Sequence, residues 1–126
     1  MNQAMSKIIN LMKEKKFQQA EFYINQELEK DRQSFDLNKL HAMSYVIQEK
    51  YNSAMFYLMK CNEIKSNDYD INISLSKVFN KIQDYRSSLK YSEIAMNINP
   101  DRSEVYHNIA YSYLYIPDLK EAESNI

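Results

Sequence analysis

The residues with chemistry to offer are few: Cys61, His41, His107 and the carboxylates Asp68 and Asp70. A cysteine becomes a nucleophile when a neighbouring base holds it as the thiolate. Cysteines and histidines together bind zinc when four ligands converge. One cysteine and two histidines do not supply such a set. Asp68 and Asp70 stand where a helix should begin, and capping accounts for them. Glycine is absent, which removes every Gly-rich loop that could cradle a phosphate or a dinucleotide. No catalytic constellation emerges, so neither an enzyme nor a cofactor or metal is expected. What remains is the chemistry of a contact surface.

The elements that carry such a surface show a fixed period. Leu11, Tyr45, Phe79 and Tyr113 fall 34 residues apart, as do Phe17, Tyr51, Tyr85 and Leu119, and Ala20, Ala54, Ser88 and Ala122. A period of this length marks stacked helix–turn–helix units, each too small to bury its own apolar face. Apolar residues recur at three- and four-residue steps, as in Ile71, Leu75, Val78 and Phe79, the pattern of an amphipathic helix. The spacing predicts helix pairs over 2–14 with 17–30, 35–48 with 51–65, 69–82 with 85–98, and 103–115 with 118–126. Helices of about fourteen residues are marginal alone and depend on packing. Ser34 and Asp68 are placed as N-caps, and Pro100 stops the sixth helix. The turns inside the pairs carry Lys15, Glu49, Gln83 and Pro117 where Gly would be easiest, so they form at some backbone cost. No linker divides the chain. One all-α array over 1–126 is expected, with units 1–34, 35–68, 69–102 and 103–126, the last incomplete.

Bulk properties narrow the partners. Of 126 residues, 44% are hydrophobic, enough to bury a core. Lys and Arg number 16 against 17 Asp and Glu, and they are intermixed, so the clustered basic face of a nucleic-acid binder is missing. The single Cys61 demands no oxidising compartment. The start, MNQAMSKIINLMKEKK, reads as an amphipathic helix and not as a signal peptide. No apolar run approaches the ~20 residues that cross a bilayer. A cytoplasmic protein without membrane or nucleic-acid partners is expected.

The columns resemble the tetratricopeptide repeat (TPR) family over almost the whole chain. Tyr106, Ile109, Ala110, Tyr113 and Ala122 carry the likeness in the fourth unit; Leu75, Ser76, Phe79, Ala95 and Pro100 do so in the third; Ala42, Tyr45, Ala54, Leu58 and Cys61 in the second. Small residues there let helices approach where large ones interlock. The first unit departs most, with Lys7 for an aliphatic residue, Ile8 for a small one and Glu27 for Ala. Asn38 and Asn72 replace a large residue, and Ser92 replaces an aromatic one. The resemblance implies an α-solenoid of antiparallel helix pairs, a right-handed superhelix whose concave groove is lined by the first helix of each pair. Members of the family mostly bind peptides or protein segments in that groove.

In that frame His41 takes a buried aliphatic position and is expected to be partly buried with a local hydrogen bond. Cys61 is expected as a small core residue, and His107 faces the groove. The groove positions hold Met5, Ile9 and Met12 in the first unit and Lys39, Met43, Val46 and Ile47 in the second. The third supplies Lys77, Asn80 and Lys81, the fourth His107, Tyr111, Leu114 and Tyr115. Such a surface fits an amphipathic helix or an extended, partly apolar segment, with Lys77 and Lys81 meeting a carboxylate. Equally, the same residues could touch a further helix of a longer chain or pack on one another. The lysine and asparagine clamp of repeats that grip acidic chaperone tails is not matched: its places hold Met5, Ile9, Leu40, Asp70 and Ser74 or, one unit later, Lys39, Met43, Ser74, Glu104 and Asn108. The end at Ile126 looks unfinished, consistent with a fragment, an N-terminal module or a homodimer covering that end. A non-catalytic protein-interaction scaffold is the first expectation. The alternatives are the recruitment module of a larger glycosyl-, sulfo- or methyltransferase and a chaperone for secreted proteins.

Overall fold

The computed structural model describes residues 3–116. The turn at Pro117, the eighth helix, the column members Leu119 and Ala122 and the dimer through the unfinished end all lie outside the described residues. Within them run α1 (Gln3–Lys13), α2 (Phe17–Lys30), α3 (Phe35–Ile47), α4 (Tyr51–Ile64), α5 (Tyr69–Lys81), α6 (Tyr85–Ile98) and α7 (Ser103–Tyr115). The chain forms two compact units, Met1–Ser66 with α1 to α4 and Asn67–Ile126 with α5 to α7.

Helix starts follow local chemistry. The Ser34 hydroxyl accepts from the Leu37 N–H at 3.2 Å, and the Asp68 carboxylate accepts from the Ile71 N–H at 3.0 Å, satisfying donors that a helix start leaves free. The Asn departures gain a reason at the same places. Asn38 is buried, and its amide donates to the Ser34 carbonyl at 2.7 Å. The buried Asn72 donates to the Asp68 carbonyl at 2.8 Å. One unit later the Tyr106 hydroxyl donates to the Pro100 carbonyl at 2.8 Å. Residues 34 apart thus tie α3, α5 and α7 back to the loop before each.

Helix ends repeat as well. Lys16 N–H donates to the Leu11 carbonyl at 2.8 Å, Lys50 to Tyr45 at 3.0 Å and Asp84 to Phe79 at 2.9 Å. Lys15, Glu49 and Gln83 donate one step inside those bonds, to Met12, Val46 and Asn80. This paired pattern is the Schellman motif, which wants a left-handed residue, usually Gly. Here the three positions have φ of 61°, 60° and 68° without being Gly. A side chain at such φ costs ~1–2 kcal/mol, part of which Gly returns as lost backbone entropy. Lys15→Gly, Glu49→Gly or Gln83→Gly is therefore expected to raise stability by ~0.5–1 kcal/mol. Urea denaturation checks this, and a loss at any of the three would contradict it.

In the first unit Ile8, Ala20, Ile24 and Leu37 form a buried cluster from α1, α2 and α3. The Lys7 and Ile8 inversion is real: Ile8 goes inside, while Lys7 sets its ammonium 4.0 Å from the Tyr23 ring centroid. In the second unit Ile73, Ala95 and Val105 cluster across α5, α6 and α7. Beside them lies a buried hydroxyl seam. Ser112 Oγ lies within hydrogen-bond distance of Asn80 Oδ1 and of Ser88 Oγ, each at 3.1 Å. Ser88 Oγ donates to the Ser76 carbonyl at 2.8 Å, and Ser76 and Ser92 share a hydrogen bond. Ser92 therefore replaces an aromatic residue in order to bond, not to fill space.

Candidate functional site

In the first unit the expected contact residues lie on α1 and α3. Met5 and Met12 lean against the buried cluster. Ile9, Lys39, Met43 and Val46 are half-buried, and Ile47 is 55% exposed. Behind this face His41 is buried, its ring stacked on Tyr57 at 3.9 Å and on Tyr45 at 5.1 Å between centroids. The local hydrogen bond expected of it is not made. Neither ring nitrogen has a hydrogen-bond partner in the protein, and the Glu21 carboxylate stops 3.9 Å from Nε2. Burial lowers its pKa, with Glu21 opposing and Lys60 reinforcing the shift. Cys61 is buried in α4, as a small core residue should be.

In the second unit the residues lie on α5 and α7. Lys77, Lys81 and His107 are exposed. Asn80 is a correction: it is buried and its carboxamide oxygen is taken by Ser112, so it binds α5 to α7 and does not present itself to a ligand. Lys77 already faces a carboxylate of its own chain, with Nζ 3.7 Å from Glu104 Oε2. Towards the end of α7, Leu114 is 79% exposed. Tyr115 stacks on Tyr85 at 5.0 Å, and Tyr111 tilts against Tyr115 at 4.9 Å. These side chains form an open aromatic ledge.

Several participants carry no signal in the sequence. Tyr85 belongs to a column read as packing. Glu104 enters the sequence reading only as a departure from the chaperone clamp, although it gathers Tyr69, Lys77 and Arg102 around it. Phe22 and Phe56, 34 apart and both largely exposed, are absent from the sequence reading because Lys90 breaks their column in the third pair. Among the described residues no group of His, Cys, Asp or Glu could hold a metal ion, and no helix is long and apolar enough to cross a membrane.

No family model matches the sequence, and no curated protein matches it. Solved structures do match. MamA (AMB-1) superposes with a TM-score of 0.82 at 19% identity, covering 94% of this chain and 65% of its own. YrrB, described as a TPR protein with an unusual peptide-binding site, gives 0.84 at 20% identity, covering 96% of this chain and 62% of its own. The second TPR domain of human RPAP3, in complex with the HSP70 peptide SGPTIEEVD, gives 0.80 at 13% identity, covering 87% and 92%. The chain has the tetratricopeptide-repeat fold. It spans about two thirds of the length of the MamA and YrrB chains.

One repeated position carries three different side chains. Lys7, His41 and Leu75 are equivalent, as are Tyr23, Tyr57 and Tyr91. Lys7 lies over the ring of Tyr23 and His41 over that of Tyr57, whereas Leu75 is simply buried. The aromatic pair beside it also repeats, as Tyr45 with Tyr57 at 5.7 Å and Phe79 with Tyr91 at 5.5 Å. One aromatic seat thus accepts a cation in the first pair and an imidazole in the second.

Proposed function

We propose that this chain is a non-catalytic protein-interaction module that holds a partly apolar protein segment against first helices of its pairs. The observation that carries this reading is the ledge on α7. Leu114 offers most of its surface to solvent, and Tyr111 and Tyr115 are 37% and 52% exposed beside it. Large apolar side chains grouped in the open mark contact sites, and tyrosine supplies rigid contact area at low entropic cost. The neighbours support it: YrrB is described by its peptide-binding site, and human RPAP3 holds an HSP70 peptide. A partner other than nucleic acid goes with the mixed charge of the chain.

The ligand differs in kind from that acidic chaperone peptide. Met5, Ile9 and Met43 stand where the clamp for such peptides would need lysine or asparagine, so the first unit offers contact area in place of charge.

A photocrosslinking residue at position 114 is expected to label a partner segment, and one at the exposed Asn52 is not. Tyr111→Glu with Leu114→Glu should weaken that partner's binding at least about tenfold, the scale of losing a buried aromatic anchor. Unchanged affinity in a variant with intact helicity removes the reading.

A further inference from the structure

The α5–α7 face of the second unit contains a charged cluster with one carboxylate at its hub. Glu104 Oε1 accepts from the Tyr69 hydroxyl at 3.0 Å and lies 3.6 Å from Arg102 Nη2. Glu104 Oε2 lies 3.7 Å from Lys77 Nζ. The Arg102 guanidinium in turn covers the Tyr69 ring at 5.0 Å. One carboxylate is therefore addressed by a hydroxyl, an ammonium and a guanidinium, drawn from α5 and from the start of α7.

We infer that Glu104 sets the charge preference of this face, occupying the anion position between Lys77 and Arg102 so that an acidic segment is refused. The inference rests on reading the face as a docking surface. Three points carry it. First, the cluster is open: the side chains of Lys77, Glu104 and Arg102 are 49%, 36% and 52% exposed. Ion pairs this wet contribute little to holding a fold together, whereas they sit where a ligand would meet them. Second, the cluster is continuous with the ledge. Glu104, Tyr111 and Tyr115 are spaced by seven and then four residues, which puts them along one side of α7. A segment resting on the tyrosines runs towards Glu104. Third, the charges decide its sign. An incoming carboxylate finds both cations engaged and meets repulsion from Glu104, and like charges brought together are strongly disfavoured at a contact. A neutral apolar segment meets neither obstacle.

Glu104→Gln keeps the shape and the acceptor for Tyr69 but removes the charge, leaving Lys77 and Arg102 to an outside anion. The probe is a fluorescent, acetylated hexaglutamate amide, titrated by anisotropy at low ionic strength. The native chain is expected to show no saturable binding, and Glu104→Gln to bind at least about tenfold tighter, with the gain fading as salt rises. Adding Lys77→Met to Glu104→Gln should erase the gain. A variant that merely unfolds cannot produce a salt-sensitive, Lys77-dependent gain. Equal binding by the native chain and Glu104→Gln, no binding by either, or a gain that survives Lys77→Met overturns the inference. The probe requires no natural partner, so this outcome is separate from that of the Leu114 experiment.

Discussion

Replacing Ile24 by Ala is expected to remove ~2–5 kcal/mol from the stability of the first unit, the range for emptying a fully buried aliphatic site. Ile24 is fully buried and lies in the cluster with Ile8, Ala20 and Leu37, so it touches the packing of α1, α2 and α3 together. The effect has two parts, lost transfer of the side chain from water and a cavity the neighbours fill only in part. Isolated helices of eleven to fourteen residues do not hold themselves up, so α1 should loosen first and take Met5 and Met12 out of place. Ile24→Val should cost only ~0.5–1.5 kcal/mol, because most of the volume stays. Urea denaturation measures both. A loss below about 1 kcal/mol for the Ala variant would mean that Ile24 is not the keystone its burial implies.

The second large effect is one of pH. His41 sits buried and neutral, its pKa held below the ordinary 6.5 by desolvation. In the unfolded chain the same ring takes a proton as pH falls through about 6.5. The unfolded state then binds more protons than the folded one, so stability is fully present above that pH and is lost below it. The slope approaches ~1.4 kcal/mol per pH unit until the folded ring protonates too. The groups facing it are the carboxylate of Glu21, which softens the loss, the ammonium of Lys60, which sharpens it, and the stacked rings of Tyr45 and Tyr57. His41→Leu copies the side chain that the equivalent position already carries at Leu75 and should flatten this part of the pH profile. The same slope in that variant, or an imidazole resonance titrating above pH 6.5, would rule the account out.

Much of this fold was legible because its causes are local and repeated. Ser34 and Asp68 announce helix starts by their oxygens, Pro100 announces a stop, and a 34-residue period shows through the columns even where identities change. The positive φ at Lys15, Glu49 and Gln83 could be foreseen from turns that needed Gly and had none. What sequence left hidden depends on pairs of residues far apart. Nothing in the string says that Ser112 reaches Asn80 and Ser88, so Asn80 was placed on the contact face when it belongs to the interior. Nor does it say that Glu104 answers Lys77, which turned an expected site for a ligand carboxylate into an internal pair. Periodicity fixes which side of a helix a residue occupies; it does not reveal which partner is waiting there.

The serine seam of the second unit has a consequence for aim. Oily side chains slide past one another with little penalty, but hydrogen bonds are directional. Rolling α7 about its axis by one side chain would pull Ser112 away from Asn80 and Ser88 at once, breaking both buried contacts and leaving Ser112 only the bond to the Asn108 carbonyl of its own helix. The seam therefore locks the azimuth of that helix, and with it the bearing along which Leu114 points.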